Sequence, residues 1–159
     1  MAVNRYWLIT ALLAMSLFGQ PTAIADNHQP ASIDATITFF YYENLGEAAA
    51  FYGDLLGLEK MMDEDWVKIY RITDTSSVGL VLEGKGYHSV SADKPAMLSI
   101  VTDNVDAWYQ LLLESKVTLQ TKLKPEDQES DPDGAPVRGF VAEDPGGYTV
   151  EFFSWQDQK

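Results

Sequence analysis

Few residues in this chain can do chemistry, and their scarcity is informative. There are two histidines, His28 and His88, and no cysteine among 159 residues. Without cysteine there is no disulfide, no thiolate metal site and no thiol nucleophile. No serine or threonine stands in a pattern that pairs it with a histidine and an acid, so no nucleophile–base pair is visible. Asp131-Pro132-Asp133-Gly134 has the outline of a calcium loop. It lacks the alternating oxygen donors and the distal bidentate glutamate such a loop needs, and reads as a turn in an acidic segment. His88 falls beside Tyr87 in a polar linker and His28 in a polar lead, both positions where histidine is ordinarily solvated.

Charge narrows the partners. With 24 acidic against 11 basic residues the formal net charge is −13. A field of that sign repels phosphate backbones and anionic lipid, which argues against nucleic-acid binding and against membrane adsorption of the mature form. The chain is 46% hydrophobic and 12% aromatic, enough to bury a core.

The first 25 residues read as a targeting segment rather than as part of the fold. Arg5 is followed by an uncharged apolar stretch from Trp7 to Phe18, then Gln20-Pro21 and the small-x-small site Ala23-Ile24-Ala25. That is the layout of a secretory signal, and the apolar stretch is short for a membrane span. Export to the periplasm or outside the cell is the expectation. The alternative is an uncleaved N-terminal anchor. Residues 26–34 form a flexible lead, and 156–159 a short tail.

Two stretches then share one pattern. Ile37–Tyr42 is β-prone, Asn44 stands where a helix begins, and Leu45, Ala48, Ala49 and Tyr52 follow at i, i+3, i+4, i+7. Met97–Val101, Asn104, and then Val105, Trp108, Tyr109 and Leu112 repeat it sixty residues on. Each unit thus predicts a strand, an N-capping asparagine and a helix with one apolar stripe. Strand-like runs follow each helix: Leu58–Met62, Trp66–Thr73 and Val78–Glu83, then Val117–Leu123, Pro136–Ala142 and Tyr148–Trp155. Asp144-Pro145-Gly146-Gly147 is a tight turn before the last strand. Lys124–Ala135 reads as a surface loop. The expected fold class is α+β, with one domain over 35–155 built from two βαβββ modules, 35–84 and 95–155.

The doubled unit, with Asn-Leu-x-x-Ala-x-x-Phe-Tyr-x-x-Leu-Leu-Gly at Asn44–Gly57 and Asp-Pro-Gly-Gly-Tyr-x-x-Glu at Asp144–Glu151, resembles the vicinal oxygen chelate superfamily. This group contains glyoxalases, extradiol dioxygenases and bleomycin-resistance proteins. The resemblance implies two half-barrels forming a pseudo-symmetric curled mixed sheet around a central cup. It also implies a divalent metal held by the first and last strands of each module. Carried over by position, the first-strand ligands fall on Ile37 and Met97, and the last-strand ligand of the second module on Glu151. The fourth falls near Val81 or Leu82, with Glu83 one or two places off register. Isoleucine has no donor atom, and a thioether is a poor ligand for a hard divalent ion.

No cofactor is therefore expected, and no metal residue other than Glu151. The alternative is a divalent ion held by Glu151 and a shifted Glu83. A Glu151 carboxylate inside a cup needs a partner: Arg71, Arg138, a proton or a cationic ligand. Strand alternation turns Ile37, Phe39 and Tyr41 to one face. By the repeat, Met97, Ser99, Thr149, Glu151 and Phe153 join them, giving an aromatic, largely apolar lining. The preferred expectation is a binding protein for a small organic molecule, without metal, related to the sequestering resistance proteins. The competing one is a metal-dependent lyase, isomerase or dioxygenase, for which Glu151 and Tyr41 would be the acid–base groups. A third reading is a structural or partner-binding module, with a homodimer as one form of it, since folds of this type often dimerise through sheet edges or exchanged modules.

Overall fold

The computed structural model describes residues 32–125 and 136–156. The targeting segment, His28, most of the lead, Asp131–Gly134 and the end of the tail lie outside the described residues. The described residues from Ile33 onward form one unit. Among the described residues no helix is long and apolar enough to cross a membrane.

The first module is a four-stranded mixed sheet. Its strands are β1 (Thr36–Tyr42), β2 (Glu59–Asp63), β3 (Val67–Thr73) and β4 (Ser76–Leu82), ordered β1-β4-β3-β2. β1 runs parallel to β4, and the other pairs are antiparallel. The connection between β1 and β2 is helical, α1 (Leu45–Ala49) continuing into a wider π-helical turn (Ala50–Leu55). Asn44 caps it, its side-chain oxygen accepting the amides of Gly46 at 3.1 Å and Glu47 at 3.2 Å. The widening coincides with Tyr70, whose hydroxyl donates to the Ala49 carbonyl at 3.3 Å while its ring lies against Gly53. The turn closes with the longer reach of a π-helix, Leu56 N–H to Phe51 O at 2.9 Å.

The second module places β5 (Met97–Val101), β6 (Val137–Glu143) and β7 (Thr149–Trp155) in the order β5-β7-β6, with α2 (Val105–Glu114) after β5. Here β5 is parallel to β7, the counterpart of β1 beside β4. Two local expectations fail. Val117–Leu123 is not a full strand: it touches β6 through one bridge, Leu119 to Ala142. The amides of Gln120 and Thr121 both turn to the Val141 carbonyl, and the Thr121 hydroxyl takes the Val141 amide at 2.9 Å. A side chain substitutes for a backbone rung, so the ladder does not propagate. Asn104 stands before α2, but its side chain caps nothing.

Both helices cover the same side of their sheets. The alternation within β1 sends Phe40 and Tyr42 inward to meet Leu45, Ala48 and Tyr52 of the helix, and Val150, Phe152, Val105 and Leu112 do the same in the second module. Phe40 and Tyr148 stack at 4.2 Å between ring centroids, so the two helix-side cores are one cluster. The opposite face of each sheet carries no helix; in the first module Val67, Ile69 and Val81 are buried there with Tyr41, while Ile37 and Phe39 stay half-exposed. This is an α+β architecture of two unclosed mixed sheets, and it fits the doubled pattern.

Candidate functional site

The open faces carry the residues singled out from sequence. In the first module three cross-strand rows follow from register: Ile37 beside Ser77 and Arg71, Phe39 beside Gly79 and Ile69, and Tyr41 beside Val81 and Val67. Ile37 is 44% exposed and Phe39 46%. The Phe39 ring lies against Gly79, where an added Cβ would be 2.3 Å from it. Tyr41 is half-buried against Val67, Ile69 and Val81. Its hydroxyl accepts the Tyr87 amide at 3.3 Å, and its ring meets His88 edge-on at 5.6 Å. The segment after β4 therefore leans on Tyr41, and His88, read from sequence as a solvated linker residue, joins an aromatic group there.

In the second module Met97 pairs with Thr149, Ser99 with Glu151 and Val101 with Phe153. Met97 is 49% exposed. The Ser99 hydroxyl donates to Glu151 Oε2 at 2.6 Å, a short bond to an ionisable acceptor. Glu151 thus finds neither arginine expected of it. Arg71 pairs with Glu59 at 2.9 Å, and Arg138 makes a two-pronged contact with Asp106 at 2.7 and 2.8 Å. The Thr149 hydroxyl donates to the Ala96 carbonyl at 3.3 Å. Phe153 is 8% exposed and packs against Gly139 and the Trp155 ring, so it is more support than lining. The contacts described among these eight residues run within each sheet.

Register also relocates one inferred metal position. Ile37 and Met97 are equivalent in the repeat, as are Phe39 and Ser99. Because Ser99 pairs with Glu151 and Phe39 with Gly79, the first-module counterpart of Glu151 is Gly79. It is not Val81, Leu82 or Glu83. Val81 is buried behind Tyr41, and Glu83 Oε2 accepts the Val90 amide at 2.5 Å. The four positions are therefore Ile37, Gly79, Met97 and Glu151, with one carboxylate between them. Among the described residues no three of His, Asp and Glu converge. This donor set does not fit a divalent ion.

Sequence reasoning missed the most polar buried feature. Asp144, 3% exposed, lies in the turn between β6 and β7. Its Oδ2 accepts the Tyr42 hydroxyl at 2.5 Å and the Tyr52 hydroxyl at 3.0 Å, and its Oδ1 accepts the amides of Gly146 and Tyr148, each at 2.9 Å. Burial raises the Asp144 carboxyl above its ordinary value, opposed by those hydrogen bonds. Burial, reinforced by the neighbouring carboxylate, lifts both tyrosines well above theirs. They stay protonated and both donate to this oxygen, with the Tyr42 hydroxyl also 3.4 Å from that of Tyr52. The Tyr148 hydroxyl accepts the Tyr41 amide at 3.1 Å and donates to the Tyr41 carbonyl at 3.4 Å. The turn of the second module thereby holds β1 of the first from both sides. Tyr148→Phe keeps the ring stacking and removes both bonds. It should cost about 1 kcal/mol in equilibrium denaturation.

A pair of βαβββ-type units with helices on one side and open sheets on the other defines the fold of the vicinal oxygen chelate proteins. The chain belongs to the Glyoxalase/Bleomycin resistance protein/Dioxygenase superfamily, whose sequence profile matches residues 32–152. Solved structures agree in fold. A glyoxalase/bleomycin resistance protein/dioxygenase from Nocardioides superposes with a TM-score of 0.62 at 15% identity, covering 82% of this chain and 87% of its own. Lactoylglutathione lyase from Agrobacterium tumefaciens gives 0.60 at 19% identity, covering 79% and 95%. A further glyoxalase/bleomycin resistance protein/dioxygenase, from Alicyclobacillus acidocaldarius, gives 0.59 at 19%, covering 78% and 92%. No curated protein sequence matches the chain.

Proposed function

We propose that the chain is an exported binding protein that holds a small, flat, largely apolar organic molecule on its open sheet faces without a metal. One observation carries this reading. Where the superfamily pattern calls for four ligands, the chain has Ile37, Gly79, Met97 and Glu151, and the one carboxylate is already engaged by Ser99. The surface around these positions is accessible and greasy, the character of a site that binds by area and orients by a few polar groups. Ile37, Phe39, Tyr41 and Met97 supply the area. Ser99, Thr149 and Glu151 supply the orientation, with Glu151 favouring a cationic or donor group on the ligand. Export rests on the N-terminal segment, whose apolar stretch and small-x-small site read as a signal.

The test is a thermal-shift panel of neutral and cationic aromatic compounds, together with metal analysis of protein purified without chelator. A ligand at a hundred times its Kd should stabilise the protein by about 2.7 kcal/mol. Phe39→Ala should abolish the shift for every responding compound, and Glu151→Gln for cationic ones only. Failure of every compound to shift the midpoint would sink this reading. So would one equivalent of tightly held divalent metal that is lost with Glu151→Ala.

A further inference from the structure

A cavity of about 410 Å³ lies at the other end of β1, away from Ile37 and Phe39. Three segments far apart in sequence build it: the turn from β1 into α1, the stretch before β5, and the Asp144 turn. Its volume falls in the range of about 300–1,000 Å³ typical of small-molecule sites. Tyr41 and Pro145 supply apolar wall. Glu43 and Glu47 line it from the first module, and Lys94 from the segment before β5.

The charges of this cavity are not spent on each other. The side chains of Glu43, Glu47 and Lys94 make no hydrogen bond or ion pair with any described residue. The Lys94 ammonium instead sits 4.7 Å from the Tyr148 ring centroid. The aromatic face holds its position while leaving its hydrogens available. Lys60 and Lys68, by contrast, both turn to Asp63. A ligand bearing only an amine would leave Lys94 facing a like charge. One bearing only a carboxylate would meet two glutamates in a chain of net charge −13. A molecule carrying both groups satisfies both walls.

We propose that this cavity binds a small zwitterion, a free amino acid or a molecule with the same ammonium and carboxylate pair, its ammonium at Glu43 and Glu47 and its carboxylate at Lys94. Tyr41 borders both this cavity and the apolar face, but Glu43, Glu47 and Lys94 belong to the cavity alone, so neither reading depends on the other.

The experiment titrates ¹⁵N-labelled protein with L-alanine, propylamine and propionate, following amide shifts, with Lys94→Gln and the double variant Glu43→Gln/Glu47→Gln alongside. Alanine should give saturable shifts confined to residues 41–47, 90–94 and 145–147. Propylamine and propionate should bind at least tenfold more weakly than alanine. Each variant should weaken alanine at least tenfold while leaving the rest of the amide spectrum in place. The absence of saturable shifts in those segments overturns the proposal. Equal affinity for propylamine and alanine, or indifference to Lys94→Gln, also overturns it, since either means that the carboxylate is not read.

Discussion

Asp144→Ala should lower the free energy of unfolding by about 3–5 kcal/mol, read as a fall in the denaturant midpoint. The carboxylate accepts four hydrogen bonds in a site closed to water. Truncation leaves the Tyr42 and Tyr52 hydroxyls and two turn amides without that acceptor, and each orphaned group costs on the order of 1–3 kcal/mol before relaxation. Asp144→Asn should be milder, about 1–2 kcal/mol. It keeps an oxygen for the amides, and the tyrosine hydroxyls can rotate to accept from its NH₂. The two substitutions also differ from wild type in pH response. Burial holds the folded carboxyl above its ordinary value, so the folded chain binds this proton more tightly than the unfolded one. The stability it contributes is full at and below the ordinary carboxylate range and is lost as pH rises through the folded value. That decline should be absent in Asp144→Asn. A stability profile of the variant parallel to wild type through that window would contradict the assignment.

Gly139→Ala should cost about 2–3 kcal/mol, although it adds a single methyl group. Gly139 pairs with Phe153 across β6 and β7. A Cβ there would lie 2.6 Å from the Phe152 carbonyl oxygen, 2.6 Å from Phe153 Cβ and 3.0 Å from its Cα. Two of those atoms are backbone, and Phe152 is fixed between the rings of Trp108 and Phe140. The strands must part for the methyl to fit. Gly79→Ala is the control. The three atoms nearest its methyl all belong to the Phe39 ring, which is half-exposed and can swing aside. Its cost should stay under about 1 kcal/mol, a surface-like value. Equal destabilisation by the two would show that backbone proximity is not what decides the cost.

The fold was legible because it rests on local periodicity. The stripes Leu45, Ala48, Ala49, Tyr52 and Val105, Trp108, Tyr109, Leu112 identify helix faces wherever they occur, and alternation in β1 sorts Phe40 and Tyr42 from Phe39 and Tyr41 without knowing the partner strand. Where the reading failed, the deciding interactions lay elsewhere in the chain. The stretch 117–123 alternates well enough for a strand, but the Thr121 hydroxyl diverts its ladder. Asn104 is as good a cap by type as Asn44 and is not used as one. The partner of Glu151 could not be chosen among distant arginines, and proved to be Ser99 on the neighbouring strand. Asp144 read as a turn residue because its two tyrosine donors are 102 and 92 positions away. The metal-position inference erred for a related reason: counting residues placed the fourth site near Val81, whereas pairing to β1 places it at Gly79.

The long reach of the Asp144 turn bears on the order in which this chain can be completed. A ribosome that has finished the first module has made Tyr42 and Tyr52 but not the acceptor they require, which is encoded almost at the other end. Until then the two hydroxyls, 3.4 Å apart, have only each other and water to satisfy them. Full assembly therefore awaits contacts of high sequence separation, the kind that slow a folding reaction. For a nascent polypeptide, the tie between Asp144 and the two tyrosines can close only once synthesis is nearly complete.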